Sequence, residues 1–146
     1  MNARVRIAGP DDAEDVARLL AEFRTESFAS SEPRDDAMLA SVRRLIDDPN
    51  TEFVLAGDGP DAVMQLRYRH SVWASAGDCT LEDLFVRADK RGQGLGSALV
   101  NAAIERARER GCRRMELDTQ KDNGAAIALY RRHGFSPERL QMRRGL

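Results

Sequence analysis

Residues Arg91 to Gly96 read RGQGLG, with glycine at 92, 94 and 96. Glycine at alternate positions costs backbone entropy and weakens any helix or strand. The apolar run LEDLFV precedes the segment and the amphipathic run SALVNAAIERARER follows it. A strand, a turn and a helix in that order set a row of amides at a helix N-terminus. Such amides lack intrahelical partners, and the helix dipole makes that end positive. An anion suits it, phosphate above all. Without side chains at 92, 94 and 96 the amides stay open, and Arg87, Lys90 and Arg91 add charge at the same end. Two familiar phosphate loops fail on spacing. The dinucleotide loop needs G-x-G-x-x-G, but Ser97 holds the place of its third glycine; the nucleoside-triphosphate loop needs a lysine that is absent.

Other reactive side chains carry less. His133 falls at the end of a helix, where a cationic imidazole is favoured, so capping explains it. His70 falls inside a strand and reads as structural. Cys112 follows Gly111 at a strand start with no histidine nearby in sequence, which speaks against a nucleophile. Cys79 and Cys112 show no metal-ligand spacing. Two reduced thiols and no metal are expected.

Positioning these groups requires the following elements. ARVRIA (3–8) alternates as a first strand. Pro10 and Asp11 open a helix with Val16, Leu19, Leu20 and Phe23 on one face. Residues 27–34 form a loop. DDAMLASVRRLIDD makes a second helix, with Met38, Leu39, Val42, Leu45 and Ile46 inward. TEFVLAG (51–57) and AVMQLRYRHSVW (62–73) read as an antiparallel hairpin. CTLEDLFV (79–86) is a strand, Gly94–Gly111 the central helix, and CRRMELDT (112–119) another strand. NGAAIALYRRHGF (123–135) is a helix, and ERLQMRRGL holds a last short strand. The order is mixed α/β, hairpins first and one strand–helix–strand unit later.

At 146 residues the chain fits one domain, 1–146. With 23 Lys+Arg against 24 Asp+Glu and no basic stripe, nucleic acid is not an expected partner. No run approaches the ~20 apolar residues of a membrane span, and the first residues lack the apolar core of a signal peptide. A cytoplasmic location is expected, and homodimerisation is allowed.

The glycine loop does match a third pattern. Arg91-x-x-Gly94-x-Gly96 after a strand ending in Val86, followed downstream by Asn123, Ala126, Tyr130 and Gly134-Phe135, resembles the GNAT superfamily of N-acetyltransferases. The likeness is close from Leu81 to Phe135. It implies a GNAT-type mixed, mostly antiparallel twisted sheet flanked by helices, with a splayed strand pair at the cofactor site. It implies acetyl-CoA as co-substrate, its pyrophosphate on Arg91, Gly92, Gln93, Gly94, Leu95, Gly96 and Ser97. Its pantetheine would pair with the backbone of Leu84, Phe85 and Val86, with Asn123 and Ala126 also contributing. The backbone near Phe85 would stabilise the oxyanion. Tyr130 would be the general acid, since a phenol stays protonated at neutral pH and can donate to a departing thiolate. Glu82 would be the base, because LEDLFV resembles the diamine and polyamine branch; Asp83 faces the other way in a regular strand and is the lesser candidate. The acceptor is then a primary amine of a small molecule. An acyl-CoA sensor without catalysis, or a protein lysine or N-terminal acetyltransferase, is the alternative. Phe23, Phe28, Glu32 and Arg34 fall where this family builds its acceptor site. Tyr68 and Trp73 fit either the core or that pocket, and Arg131 and Arg132 either reach the adenosine 3′-phosphate or form a solvated face.

Overall fold

The computed structural model describes residues 4–146. Ala3, placed in the first strand by the sequence, lies outside them. Five strands form one sheet in the order β1 (Val5–Ile7), β2 (Thr51–Ala56), β3 (Ala62–Ser71), β4 (Ala76–Val86), β5 (Cys112–Leu117). Neighbours are antiparallel except β4 and β5, which are parallel. The antiparallel majority follows from short connections. The parallel pair needs a crossover, which α3 (Leu95–Glu109) supplies.

Each face of the sheet has its own core. On one, α3 sets Leu95, Leu99, Val100, Ala103 and Ala107 against Val54, Met64, Leu66, Cys79 and Leu81. On the other, α1 (Ala13–Phe28) and α2 (Asp35–Ile46) bring Val16, Leu19 and Val42 onto Phe53, Leu55, Val63 and Phe85. Strand alternation sends consecutive residues to opposite faces. Met64 and Leu66 therefore meet α3, while Val63, Gln65 and Arg67 share the α1/α2 face.

Several boundaries differ from expectation. A 3-10 turn at Pro10–Asp12 comes before α1; the Asp12 carboxylate accepts from the Gly9 amide at 2.8 Å. The β3 strand stops at Ser71, and Val72 and Trp73 sit exposed in the turn to β4. The β4 strand begins at Ala76, opposite Ser71 of β3, and within its added length Asp78, only 2% exposed, is held by Arg114 from β5 at 2.8 and 2.9 Å. The last strand does not form. Residues after α4 (Gly124–Arg132) carry no regular structure. Leu140 and Met142 stay exposed, so no burial offsets the entropy of ordering a strand there.

Candidate functional site

The register between β3 and β4 slips beside Met64. Val63 opposes Phe85 and Gln65 opposes Glu82, so Asp83 and Leu84 together face the single residue Met64. This is a β-bulge, one extra residue in β4. Asp83 takes it up in the left-handed region, at φ 55°. The last paired residues of β4 and β5 are Leu81 and Leu117. From Glu82 to Val86, β4 is bonded only to β3 and its other edge is open. The parallel pair therefore splays at the bulge, where the sequence placed Leu84, Phe85 and Val86.

The glycine loop lies just beyond. Gly92 and Gly94 have φ of 79° and 85°, which strains any residue with a Cβ. No atom lies within 4 Å of the point a Cβ would occupy at either, so the space beside them is open. At Gly96 a Cβ would stand 3.2 Å from Leu129 of α4. Its absence lets α3 and α4 approach closely. The first bond within α3 runs from the Ala98 amide to the Gly94 carbonyl at 3.0 Å; the amides of Leu95, Gly96 and Ser97 precede it at the positive end of the helix. Unpartnered amides, open space and a free strand edge fit a pyrophosphate followed by an extended, amide-bearing arm.

The expected cationic surround is differently disposed. Arg91 pairs with Glu26 of α1 at 2.6 Å, donates to the Val86 carbonyl at 3.0 Å and lies over the Phe85 ring. Arg87 faces the carboxylates of Glu22, Asp61 and Asp89 at 3.5–3.9 Å. Both cations thus bind the loop to α1 and to its own flank. Lys90 makes no ion pair among the described residues. The Ser97 hydroxyl meets the His133 ring at 2.8 Å, which joins the start of α3 to the end of α4.

Asn123 caps α4, its side-chain oxygen accepting from the Ala126 amide at 3.2 Å. Tyr130 is 8% exposed, with Phe135 against it edge-on. Its hydroxyl has no hydrogen-bond partner among the described residues. Burial raises the Tyr130 pKa, and the charge of Asp118 raises it further. Glu82, half-buried on the α1/α2 face, is raised by burial and by Asp83 and Asp118, against a lowering by Arg67. Asp83 is raised by the protein crowding it and by Asp118, although its side chain keeps contact with solvent. Asp118, just past the end of β5, thus acts on all three groups. Sequence reasoning missed it. Its signal was available in MELDT, since a carboxylate one residue beyond the strand must lie near the splay.

Among the other candidates, Tyr68 belongs to the core, its hydroxyl donating to Glu52 at 2.5 Å. Trp73 is 91% exposed at the far end of β3. Cys79 is buried and its thiol pushed up to about 12; Cys112 is also raised by burial. Neither is an activated thiolate. Phe23 stacks on Phe85 at 5.3 Å and meets Phe28 at 5.8 Å. A cavity of about 770 Å³ lies between α1, α2 and residues 87–89, and neither Glu82 nor Tyr130 lines it. Among the described residues no cluster of three metal-ligating side chains occurs, and no helix is long and apolar enough to cross a membrane.

A mixed sheet with a parallel pair ending beside a glycine-rich helix start is the architecture of the acetyltransferase structures on which the chain superposes. Residues 13–135 match the Acetyltransferase (GNAT) family, and the chain belongs to it. Members of that family use acetyl-CoA as co-substrate. A crystal structure from Arthrobacter sp. FB24, provisionally designated an acetyltransferase, superposes with a TM-score of 0.87 at 31% identity, covering 98% of this chain and 96% of that one. Mycothiol acetyltransferase of Beutenbergia cavernae is 30% identical over 98% of this chain. The chain spans about half that relative's length, 48%. Streptothricin acetyltransferase of Streptomyces lavendulae is 30% identical over 90% of this chain and 80% of its own length.

Proposed function

We propose that this chain transfers the acetyl group of acetyl-CoA to a primary amine of a small molecule, by direct attack in a ternary complex. The carrying observation is the open edge of β4 from Glu82 to Val86, with Glu82 on one side of the sheet and Tyr130 on the other. Acetyl-CoA supplies an acyl group already activated as a thioester. The amides at the start of α3 receive its diphosphate, and the free edge of β4 pairs with its amide-bearing arm as an added strand would. The Phe85 backbone amide stabilises negative charge developing on the carbonyl oxygen. Glu82 takes a proton from the acceptor's ammonium, directly or through water, and the freed amine bonds to the thioester carbon; as the C–S bond breaks, Tyr130 gives its proton to the departing sulfur and is restored by the second proton that the nitrogen sheds on becoming an amide. The streptothricin and mycothiol relatives support a small-molecule acceptor.

The test measures free thiol released from acetyl-CoA across a panel of primary amines. Glu82 is raised above the ordinary carboxylate range by burial first, so the protonated, inactive form persists to a higher pH than for a free glutamate. The acid limb of kcat/KM then stands correspondingly high. Glu82→Gln removes that limb and moves activity to alkaline pH, where the free amine exists unaided. Superimposable profiles for the two proteins exclude Glu82 as base. Tight acetyl-CoA binding with no thiol released by any amine would make the chain an acyl-CoA-binding module.

A further inference from the structure

The α1/α2 face of the sheet is only half covered. Helices α1 and α2 close over Phe53, Leu55, Val63 and Phe85. Beyond them the same face continues as Gln65, Arg67 and Arg69 on β3, opposite Glu82, Thr80 and Asp78 on β4. Arg114 and Glu116 of β5 extend it alongside Asp78 and Thr80. Nearly every charge on this platform is accounted for. Asp78 takes both Arg69 and Arg114, and Glu116 also lies 3.3 Å from Arg114. Two groups remain. Arg67 is exposed and makes no ion pair among the described residues. Glu82 stands diagonally across from it without closing a salt bridge. Beside Glu82, the Gln65 side chain is 4% exposed and its Nε2 has no hydrogen-bond partner.

Diagonal partners on adjacent antiparallel strands are about 7–8 Å apart at Cα. Arg67 and Glu82 rise from one face at that spacing, so a ligand with an ammonium and a carboxylate one carbon apart can meet both opposite charges there, each at about 2.8 Å. A carboxylate beside a free guanidinium is the complement of a zwitterion. We infer that the acceptor is a free α-amino acid, its carboxylate on Arg67 and its α-ammonium on Glu82. This rests on the amine-acetylation reading above and narrows it. It also sets this chain apart from the diamine branch that LEDLFV resembles. The second ammonium of a diamine would be brought toward Arg67, where like charges repel. Gln65, paired with Glu82 across the strands, leaves its Nε2 donor unpartnered beside it.

The experiment compares each L-amino acid with its decarboxylated amine and its methyl ester. Thiol release is one readout; calorimetric binding to the protein with coenzyme A present is the other. The amino acid is expected to exceed the amine and the ester in kcat/KM by about 10- to 100-fold, the worth of one charge-assisted hydrogen-bonded pair. Arg67→Gln is expected to collapse that ratio by a similar factor through KM, and Arg67→Lys to restore part of it. Arg67 is exposed, so neither change threatens the fold. Turnover of amines with no preference for the carboxylate overturns this inference and leaves the acetyltransferase reading intact. Absence of turnover with every amine defeats that reading instead, and binding then decides: a carboxylate preference that Arg67→Gln removes supports the zwitterion site, and equal binding of amino acid and amine overturns it.

Discussion

Tyr130→Phe separates a structural tyrosine from a chemical one. The ring is buried and rests edge-on against Phe135 at 6.1 Å, and phenylalanine keeps that contact. The hydroxyl has no partner among the described residues, so its removal orphans nothing. Stability should stay within about 0.5 kcal/mol of wild type, read as an almost unchanged thermal midpoint. Activity should fall by about 10²-fold in kcat, the low end for general acid catalysis because a thiolate is already a fair leaving group. At 1.36 kcal/mol per factor of ten, that is about 2.7 kcal/mol of transition-state stabilisation. Acetyl-CoA affinity should hold. The pH dependence adds a second constraint. Burial, then Asp118, raises the Tyr130 pKa above the ordinary phenol value, so the donor stays protonated through the alkaline range. No falling limb should appear before the ordinary phenol pKa of about 10. The assay is thiol release under single turnover, which isolates chemistry from product loss. A loss below twofold, with chemistry limiting, refutes the reasoning and assigns the proton to another group.

Two further outcomes test the surrounding geometry. Asp118→Asn removes a charge that raises Glu82, Asp83 and Tyr130, so the acid limb of kcat/KM should move to lower pH; a limb that stays in place detaches Asp118 from the base. Gly96→Val places a Cβ against Leu129 and should cost about 1–3 kcal/mol, as overpacking does, while displacing α4 and with it Tyr130; unchanged thermal midpoint and kcat would show that α3 and α4 tolerate separation.

Legibility in the sequence followed the range of the forces involved. The central helix announced itself because Leu95, Leu99, Ala103 and Ala107 repeat at its own period, and all four are buried against the sheet. The glycine loop was readable because positive φ at 92 and 94 has a strong residue signature. The contact that a Cβ at Gly96 would make with Leu129 was not readable, because it lies 33 positions away and no local pattern encodes it. Arg87 and Arg91 were assigned to the loop by proximity in sequence. Their partners Glu22 and Glu26 lie on α1, and the folded chain brings those acids there. The expected last strand failed for a related reason. Alternation alone marks a strand, but a strand persists only where a partner buries one of its faces, and Leu140 and Met142 find none.

The bulge in β4 ties these threads together. A strand edge left open is ordinarily a liability that proteins blunt or cover. Here the edge opens within two residues of the extra residue at Asp83. Before the bulge, Gly77 to Leu81 pair with β5 as an ordinary parallel strand. From Glu82 on, the strand pairs with β3 alone. The same insertion resets the alternation: Glu82 and Phe85, three apart, both lie on the α1/α2 face, where a regular strand would have separated them. One added residue therefore leaves the edge where the proposed acetyl-CoA arm would pair free of β5, and sets half-buried Glu82 at the point where that pairing ends. It also keeps Phe85 packed under Phe23 so that the displaced segment stays anchored. Asp83 carries the left-handed backbone that this requires. Strain of that kind persists only where the surrounding structure over-determines it: β3 holds both flanks of the bulge in register, at Gln65 and at Val63.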